Sequence, residues 1–386
     1  MAEPRTVDLA ELRPRLERAF TFAAKQVRAT TERTPDYFPI YTEGGRWRHG
    51  GELWTDWCAG FHAGMMWLVA RRTGDPAWRA LAEHYSRLLE HKQHDRDVHD
   101  LGFIFLSTYK PWFEATGDPQ IREVLITAGR TLAMRFNRPG QYLRSFVAPE
   151  SLFIDIMMNV PIIFYAAREA GDKALYDLAV AHCRTTERTL VRPDGGTAHE
   201  GIFDPETGEF LRQTTHQGLR GDSDWSRGLA WSLYGYGTVY TYTKDPADLA
   251  VAERNADHFI ARCPEGLVPP WDFDVPEGPD RIDDSSAAAI AASGLWNLAG
   301  LTADPARARR YQDACLTILD SLCTDRYMAW DTPGWEGVLK HGVYHFHKKL
   351  GVDESVMWGE FFFLEAVDKV LGESPAPESI SEPNRP

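Results

Sequence analysis

Long apolar runs are missing from this chain of 386 residues. No stretch reaches the roughly 18 apolar residues that a membrane-spanning helix needs. The first residues show neither a secretion signal nor a transit-peptide pattern. These absences predict a soluble, cytoplasmic protein with no membrane partner.

Cysteine is scarce, and its spacing is irregular. The five cysteines are Cys58, Cys183, Cys263, Cys315 and Cys323. They form no Cys-x-x-Cys motif, and such an odd, widely spaced set suits buried thiols in a reducing compartment. The pattern favours neither a disulfide framework nor a zinc site.

Positive charge is also in deficit, with 42 Lys and Arg against 56 Asp and Glu and a net charge of −14. A field of this sign repels nucleic-acid phosphates, so no nucleic-acid partner is expected. The sequence also lacks a phosphate-binding loop, a dinucleotide fingerprint and the motifs that surround serine or cysteine nucleophiles. Hydride and phosphoryl transfer are therefore excluded, and no cofactor is expected.

A short turn recurs five times between segments with helical apolar spacing. Each copy contains Asp, usually with Gly or Pro, and the copies lie at residues 73–76, 116–119, 170–172, 243–246 and 302–305. Gly suits the left-handed residue that ends a helix, Asp caps the next helix, and Pro fits its first position. Five such junctions predict about a dozen helices arranged in hairpins, and so an all-α toroid.

Two segments depart from the helical pattern. Residues 197–203 and 209–213 flank an Asp-Pro-Glu-Thr-Gly turn, which predicts a small β-hairpin inserted between helices. Residues 372–386 are rich in Pro, Ser and Glu and cannot bury an apolar face. A disordered tail is therefore expected to follow a single domain of residues 1–371.

Asp155 is an acidic residue among large apolar ones, in the run Phe-Ile-Asp-Ile-Met-Met-Asn-Val-Pro. Burial without a cation raises the pKa of a carboxyl, which is what a general acid needs near neutral pH. Asn159 follows one helical turn later and could hold Asp155 in place. Alternatively, Asp155 caps a helix that has Pro161 in its first turn, and the helix dipole would then favour the carboxylate.

Asp100 is a second carboxyl candidate, at the end of a polar tract. By itself this tract is typical of a solvated loop. Its histidines, His91, His94 and His99, match neither the His-Glu-x-x-His pattern nor a zinc-finger spacing. The tract therefore does not indicate a metal site.

Arg227 and Trp231 lie one turn apart on a predicted helix that follows a polar loop. Arg binds a planar carboxylate through two parallel hydrogen bonds, and Trp stacks on the apolar face of a sugar ring. The pair therefore suits an acidic sugar. In the competing interpretation Arg227 pairs with Asp222 or Asp224, and Trp231 fills the core.

An aromatic segment contains Trp54, Trp57 and Phe61. Aromatic residues at helical spacing usually belong to the core, so these residues alone do not mark a site.

Five motifs follow one another over roughly residues 50–370. They are Trp57-x3-Phe61-His-Ala-Gly-Met-Met-Trp-Leu, His99-Asp100-Leu-Gly-Phe, Asp155-Ile-Met-Met-Asn-Val-Pro, Asp224-Trp-Ser-Arg227-Gly-x2-Trp231 and Trp358-Gly-Glu-Phe-Phe-Phe-Leu-Glu-Ala. Together they resemble the unsaturated glucuronyl hydrolases of glycoside hydrolase family 88. The resemblance implies a glycosidase with an (α/α)6 barrel. Family 105 shares this fold and overlapping chemistry, so an unsaturated rhamnogalacturonyl hydrolase is the nearest alternative.

The resemblance also implies roles for individual residues. It assigns the central acid/base aspartate to Asp155 and a second aspartate to Asp100. Groups that contact sugar or water fall at His199, Gln217, Arg227 and Trp231, and an aromatic wall falls at Trp57 and Phe61. Some members accept sulfated sugars through a Ser-x-Lys element, which has no clear counterpart in residues 341–355.

The implied substrate is a lyase-generated oligosaccharide with a 4,5-unsaturated uronic acid at its non-reducing end. Asp155, as a neutral acid, would protonate C4 of this vinyl ether and then take a proton from the water that attacks C5. Asp100 would accept hydrogen bonds from the sugar hydroxyls and would raise the pKa of Asp155 through its negative charge. Arg227 or His199 would neutralise the substrate carboxylate. The alternatives from other classes are a sugar epimerase or isomerase, which would need paired histidines, and a non-catalytic helical scaffold.

Overall fold

The computed structural model describes residues 4–49 and 56–372. In these two ranges the chain forms fourteen α-helices: α1 (Leu9–Arg33), α2 (Ala59–Thr73), α3 (Pro76–Leu88), α4 (Leu101–Ser107), α5 (Tyr109–Thr116), α6 (Pro119–Ala133), α7 (Ile156–Asn159), α8 (Pro161–Ala170), α9 (Lys173–Leu190), α10 (Ser226–Thr243), α11 (Pro246–Arg262), α12 (Ser285–Leu301), α13 (Pro305–Leu322) and α14 (Met357–Leu371). A 3-10 helix spans Glu90–His94.

The same ranges contain nine short strands: β1 (Thr42–Glu43), β2 (Arg46–Trp47), β3 (Phe136–Asn137), β4 (Tyr142–Leu143), β5 (Ser151–Phe153), β6 (Glu200–Phe203), β7 (Phe210–Thr214), β8 (Gly342–His345) and β9 (Leu350–Glu354). All pairings are antiparallel.

The helix count agrees with the dozen predicted. Only Thr108 separates α4 from α5, and only Val160 separates α7 from α8. Each of these two pairs therefore acts as one interrupted helix, which leaves twelve helical segments in the described ranges.

The recurring turns end one helix and begin the next, as predicted. Gly74, Gly117 and Gly171 have positive φ angles of 66°, 65° and 62° directly after α2, α5 and α8. An Asp side chain accepts a backbone N–H at the start of the following helix in all five copies: Asp75, Asp118, Asp172, Asp245 and Asp304. The helix hairpins thus arise from chemistry local to each turn.

The helices form two concentric rings. The inner ring is α2, α4, α7 with α8, α10, α12 and α14; each packs on the next, and α14 packs on α2 to close the circle. The outer partners are α3, α6, α9, α11, α13 and α1. This is the (α/α)6 barrel that the sequence led us to expect.

Composition explains which helices lie inside. Helix α12 consists largely of Ala, Ser, Gly and Leu and buries residues on every side. Outer helix α3 buries only one stripe, formed by Trp78, Ala82, Tyr85 and Ser86. A helix that is apolar all round belongs in the centre, and an amphipathic one belongs at the surface.

The predicted β-hairpin is present as β6 and β7, and β5 joins it to form a three-stranded sheet. Leu152 of β5 lies opposite Gly201 of β6. This pairing brings the segment that leads to Asp155 beside the segment that carries His199. The other strand pairs were not predicted: β1 to β4 have only two residues each, too few to show alternation.

Two sequence predictions concern residues outside the described ranges. Trp54 is one of them, and the predicted tail at residues 372–386 is the other, apart from Gly372. Among the helices that the structure describes, none combines the length and the apolarity needed to cross a bilayer.

Candidate active site

The two candidate aspartates occupy equivalent positions at the N-terminal ends of inner helices. Asp100 directly precedes α4, and Asp155 directly precedes α7. Neither side chain accepts a capping hydrogen bond from its own helix. The capping alternative for Asp155 is therefore wrong, and both carboxyls are available to the cavity between them.

Helices α4 and α7 cross closely enough to bring the aspartates together. A Cβ atom on Gly102 would lie 2.4 Å from the Cα atom of Asn159, so only glycine fits there. Asn159 accepts a hydrogen bond from the backbone N–H of Phe103 at 2.8 Å. It donates another to the backbone carbonyl of Asp155 at 3.2 Å. Asn159 thus holds the backbone of Asp155 and ties it to α4, without contacting the carboxyl group.

A narrow cavity separates the two carboxyls. Its lining consists of Trp57, His99, Asp100, Phe146, Phe153, Asp155, Gln217, Arg227 and Tyr344. Its volume is about 30 Å³. Two larger surface cavities, of about 460 and 660 Å³, contain none of the predicted site residues.

His199 faces the carboxyl of Asp155, with its Nε2 atom 3.4 Å from Oδ2. The Nδ1 atom of His199 accepts hydrogen bonds from the backbone N–H groups of His216 and Gln217, both at 3.1 Å. Because Nδ1 is an acceptor, the ring carries a hydrogen on Nε2, directed at the carboxyl. The structure therefore brings His199 and Asp155 together.

The pKa of Asp155 is lowered, although a raised value was expected. Burial alone would raise the pKa of this carboxyl, but the Nε2–H of His199 and the positive charge of Arg227 reverse the effect. The sequence prediction considered burial without these partners, and it is wrong for the unliganded protein.

The pKa of Asp100 is shifted in the opposite direction. Burial raises it well above its usual value, and the negative charge of Asp155 raises it further, with Arg135 opposing. The two carboxyls repel each other, and the pKa of Asp100 is the one that rises. Asp155 is therefore the more acidic of the pair.

Arg227 borders the cavity, but its guanidinium is already bonded within the protein. Its terminal nitrogens donate to the carbonyls of Val343 and Tyr344 in β8 and to the Gln217 side chain. Asp284 lies 3.8 Å away. Arg227 therefore clamps β8 and Gln217 beside the cavity and supplies positive charge there.

The alternative partners proposed for Arg227 are engaged elsewhere. Asp224 accepts hydrogen bonds from Arg192 and Arg262 and contacts the Nε2 atom of His258. Asp222 pairs with Arg220 at the surface. The predicted pairing of Arg227 with either aspartate is therefore wrong.

The predicted aromatic residues fall into two layers. Trp57 is half-buried, lines the cavity and packs against Trp358, with the two tilted rings 4.7 Å apart between centroids. Phe61 and Trp231 are fully buried and pack against Phe103. Since neither belongs to the described cavity lining, Phe61 and Trp231 support the wall from behind, as the core interpretation of Trp231 anticipated.

Sequence reasoning missed four residues that line the cavity: His99, Phe146, Phe153 and Tyr344. His99 could have been found, because it directly precedes a candidate aspartate. The other three come from short strands and loops, where the sequence shows no periodic pattern. In the described parts of the chain, no three His, Cys, Asp or Glu residues are grouped so as to hold a metal ion.

Comparisons with known proteins agree with this site. The sequence model of Glycosyl Hydrolase Family 88 matches residues 28–297. An unsaturated glucuronyl hydrolase from Bacillus sp. (strain GL1) is 34% identical over 81% of this chain and 85% of its own length. An unsaturated chondroitin disaccharide hydrolase from Streptococcus pyogenes serotype M1 is 30% identical over 91% of this chain and 90% of its own.

A solved structure shows the same fold. The crystal structure of the unsaturated glucuronyl hydrolase from Bacillus sp. GL1 superposes with a TM-score of 0.85 and 31% identity, covering 92% of this chain and 96% of that one. The family match extends over more than half of the sequence and includes both cavity aspartates. This chain belongs to glycoside hydrolase family 88 and is a glycosidase.

Proposed function

We propose that this protein releases the 4,5-unsaturated uronic acid from the non-reducing end of lyase-generated oligosaccharides by hydrating its C4=C5 double bond. One observation supports the proposal above all. Two carboxyls face the same small cavity, and the pKa of one is raised while that of the other is lowered. Adding water across a vinyl ether needs a carboxyl that can deliver a proton to one carbon and then remove one from the attacking water, and a second carboxyl can position the sugar beside it.

Asp155 is assigned the acid/base role. The substrate carboxylate brings a negative charge next to the groups that lower the pKa of Asp155, so binding raises that pKa. Asp155 then takes up a proton, delivers it to C4 and becomes a carboxylate again. In that form it removes a proton from the water that attacks C5. The resulting hemiketal opens and expels the remaining sugar, so the net change is the addition of one water molecule.

Asp100 supports this cycle from the other side of the cavity. In its neutral form it can accept a hydroxyl hydrogen bond from the sugar ring and donate one as well. Its proton also spares the site a second negative charge beside the substrate carboxylate. Ordinary glycosidases instead place two carboxyls across the anomeric bond.

Binding of an anionic sugar to a protein with net charge −14 requires a local positive charge. Arg227 provides that charge at the cavity, where it acts at short range, while distant surface carboxylates are screened by salt. Gln217 offers an amide to the sugar hydroxyls, and the Trp57 indole offers a stacking face. The remaining predicted contact, His199, acts through Asp155.

The names of the relatives indicate the range of substrates to examine. The Bacillus protein is an unsaturated glucuronyl hydrolase, and the Streptococcus protein is an unsaturated chondroitin disaccharide hydrolase. We infer that this chain takes a short oligosaccharide with an unsaturated uronic acid at one end. Unsaturated products from chondroitin, hyaluronan, heparin, gellan, xanthan and ulvan form a suitable set for comparison.

Two further assignments accompany this proposal. All five cysteines are buried free thiols, which suits the reducing conditions of the cytoplasm. Residues 1–371 are assigned to one catalytic domain, because α1 and α14, from opposite ends of the chain, pack together in the same barrel.

Replacement of Asp155 by Asn tests the proposed reaction. The substitution removes the proton carrier, so kcat should fall at least about 100-fold while substrate binding persists. Loss of the ultraviolet absorbance of the unsaturated uronic acid measures turnover, and calorimetric titration measures binding. Turnover near the parent rate in Asp155→Asn would contradict the assignment.

Asp222→Asn is the matched control, because Asp222 is an exposed aspartate in the loop before α10. It should leave kcat unchanged. In deuterated water, the product should carry deuterium at C4. A product that is unlabelled at C4 would exclude proton delivery to that carbon.

A further inference from the structure

We propose that His99 is a positioning residue of the reaction, and that it orients the carboxyl of Asp100 as His199 orients the carboxyl of Asp155. This inference rests on the function proposed above. His99 is buried and lines the cavity. The predicted site contained only one of these two histidines.

The two histidine–aspartate pairs have the same separation. The Nε2 atom of His99 lies 3.4 Å from Oδ1 of Asp100. The Nε2 atom of His199 lies 3.4 Å from Oδ2 of Asp155. Each pair stands at the N-terminal end of an inner helix, so each carboxyl of the cavity has a histidine beside it.

Backbone hydrogen bonding fixes which nitrogen of His99 carries the hydrogen. The N–H of Phe146 donates to Nδ1 of His99 at 3.0 Å. A backbone N–H can only donate, so Nδ1 must accept, and the ring hydrogen is on Nε2. Burial lowers the pKa of His99 to about 3, which keeps the ring neutral at physiological pH. The group directed at Asp100 is therefore an uncharged N–H.

A buried arginine holds this arrangement in place. The guanidinium of Arg135 donates to the carbonyls of Arg96 and Ser145. It thereby joins the tract that leads to His99 to the segment that carries Phe146. The charged and titratable groups around His99 are Asp100, Asp155, His182, His199 and Arg135.

An uncharged donor suits a carboxyl that must keep its proton. A cation at this position would lower the pKa of Asp100 and favour loss of the proton. The Nε2–H of His99 instead marks Oδ1 as the accepting oxygen, so the acidic hydrogen of Asp100 belongs on Oδ2. The 3.4 Å separation is longer than a normal hydrogen bond, and such contacts often tighten only when substrate binds.

Two substitutions of His99 separate the role of its Nδ1 atom from the role of its Nε2 atom. Asn places an amide oxygen near the Nδ1 position, where it can still accept from Phe146, but nothing reaches Asp100. Gln places an amide N–H near the Nε2 position and loses the acceptor for Phe146. His99→Asn should therefore preserve the fold better, and His99→Gln should preserve the rate better.

The measurements are kcat and KM on an unsaturated disaccharide, with thermal unfolding to confirm that both variants fold. His99→Asn should lower kcat at least about tenfold with KM within about threefold of the parent, since orientation of the reacting groups is what is lost. His99→Gln should remain within about fivefold of the parent kcat. A purely structural histidine predicts the reverse order, and that order would overturn the proposal.

The tautomer of His99 provides a test that requires no variant to be active. Nitrogen NMR of the imidazole should show a neutral ring with its hydrogen on Nε2 at pH 6 to 8. A hydrogen on Nδ1, or a protonated ring at pH 6, would overturn the inference.

Failure of this inference is distinguishable from failure of the proposed function. A parent protein that leaves every unsaturated oligosaccharide intact would overturn the proposed function, and with it any role of His99 in the reaction. An active parent with His99→Asn as fast as His99→Gln would overturn the role of His99 alone.

Discussion

At the scale of single residues, the groups around a carboxyl determine the direction in which its pKa shifts. Asp100 and Asp155 are the same residue type, and both stand directly before an inner helix. The N–H of His199 and the guanidinium of Arg227 compensate for the burial of Asp155, and the pKa of Asp155 is lowered. Asp100 lacks comparable compensation, and its pKa is raised. Asp155 is therefore the more acidic carboxyl of the pair.

This difference in pKa predicts the pH dependence of kcat/KM. As the pH rises through the raised pKa of Asp100, its proton is lost and kcat/KM should fall. The acid form of Asp155 is the one that donates to C4, so protonation of Asp155 at low pH should not lower kcat/KM. A profile of kcat/KM against pH should therefore decline on the alkaline side.

Asp100→Asn identifies the alkaline limb, because an amide has no proton to lose in this range. The variant should be slower overall, but its kcat/KM should not decline where that of the parent does. An alkaline limb at the same pH in both proteins would assign it to another group.

At the scale of secondary-structure elements, the contact between α4 and α7 determines the distance between the two carboxyls. Gly102 allows the two helices to touch, and Asn159 bonds to the backbone of both. Neither residue reaches the substrate cavity, yet both fix where Asp100 and Asp155 start. Changes at this crossing should therefore affect stability and catalysis together.

Gly102→Ala tests this crossing. The added methyl group would meet the backbone of Asn159 at 2.4 Å, which side-chain motion cannot relieve. We expect a loss of about 1–3 kcal/mol in the free energy of unfolding, together with a lower kcat. Denaturant titration and the absorbance assay measure these two quantities.

Gly300→Ala is the control, because Gly300 lies in α12 with nothing within 4 Å of the added methyl group. Alanine is the better helix former by about 1 kcal/mol, so this variant should be as stable as the parent or more stable. Equal destabilisation by the two substitutions would contradict a special role for the α4–α7 crossing.

The barrel as a whole depends on polar groups that join loops to the inner ring. Glu360 in α14 is buried and accepts backbone N–H groups from Val338 at 2.6 Å and Leu339 at 3.0 Å. These residues lie just before β8, whose carbonyls hold Arg227. Burial raises the pKa of Glu360 to about 8, despite the two hydrogen bonds.

The shift at Glu360 predicts a pH-dependent stability. The unfolded chain loses this proton near the usual glutamate pKa of about 4.3, whereas the folded protein keeps it up to about 8. The stabilising contribution is therefore complete at acidic pH and is lost as the pH rises towards 8. Gln cannot ionise, so Glu360→Gln does not lose this contribution. The difference in Tm between the variant and the parent should therefore shift in favour of the variant by about 2 °C or more from pH 5 to pH 8.

Scanning calorimetry at several pH values measures this difference. Glu206→Gln, in the exposed turn between β6 and β7, is the control and should follow the parent at every pH. If Glu360→Gln follows the parent equally closely, Glu360 is ionised in the folded protein.

The sequence by itself determined the helix hairpins, the barrel they form and the two central aspartates. The turns at Asp75, Asp118 and Asp245 use caps that act within a few residues, so their chemistry can be read locally. Asp155 stood out as a carboxyl within an apolar run, whereas Asp100 was identified by the family motifs, which also indicated the reaction.

Only the tertiary structure decided where the proton lies and which side chains reach the cavity. The pKa of Asp155 depends on His199 and Arg227, which come from other elements of the barrel. Phe61 and Trp231 are buried behind the residues that line the cavity, while Tyr344 reaches the cavity from a strand near the end of the chain. Burial and charge act through space, so residues far apart in sequence set the chemistry of this site.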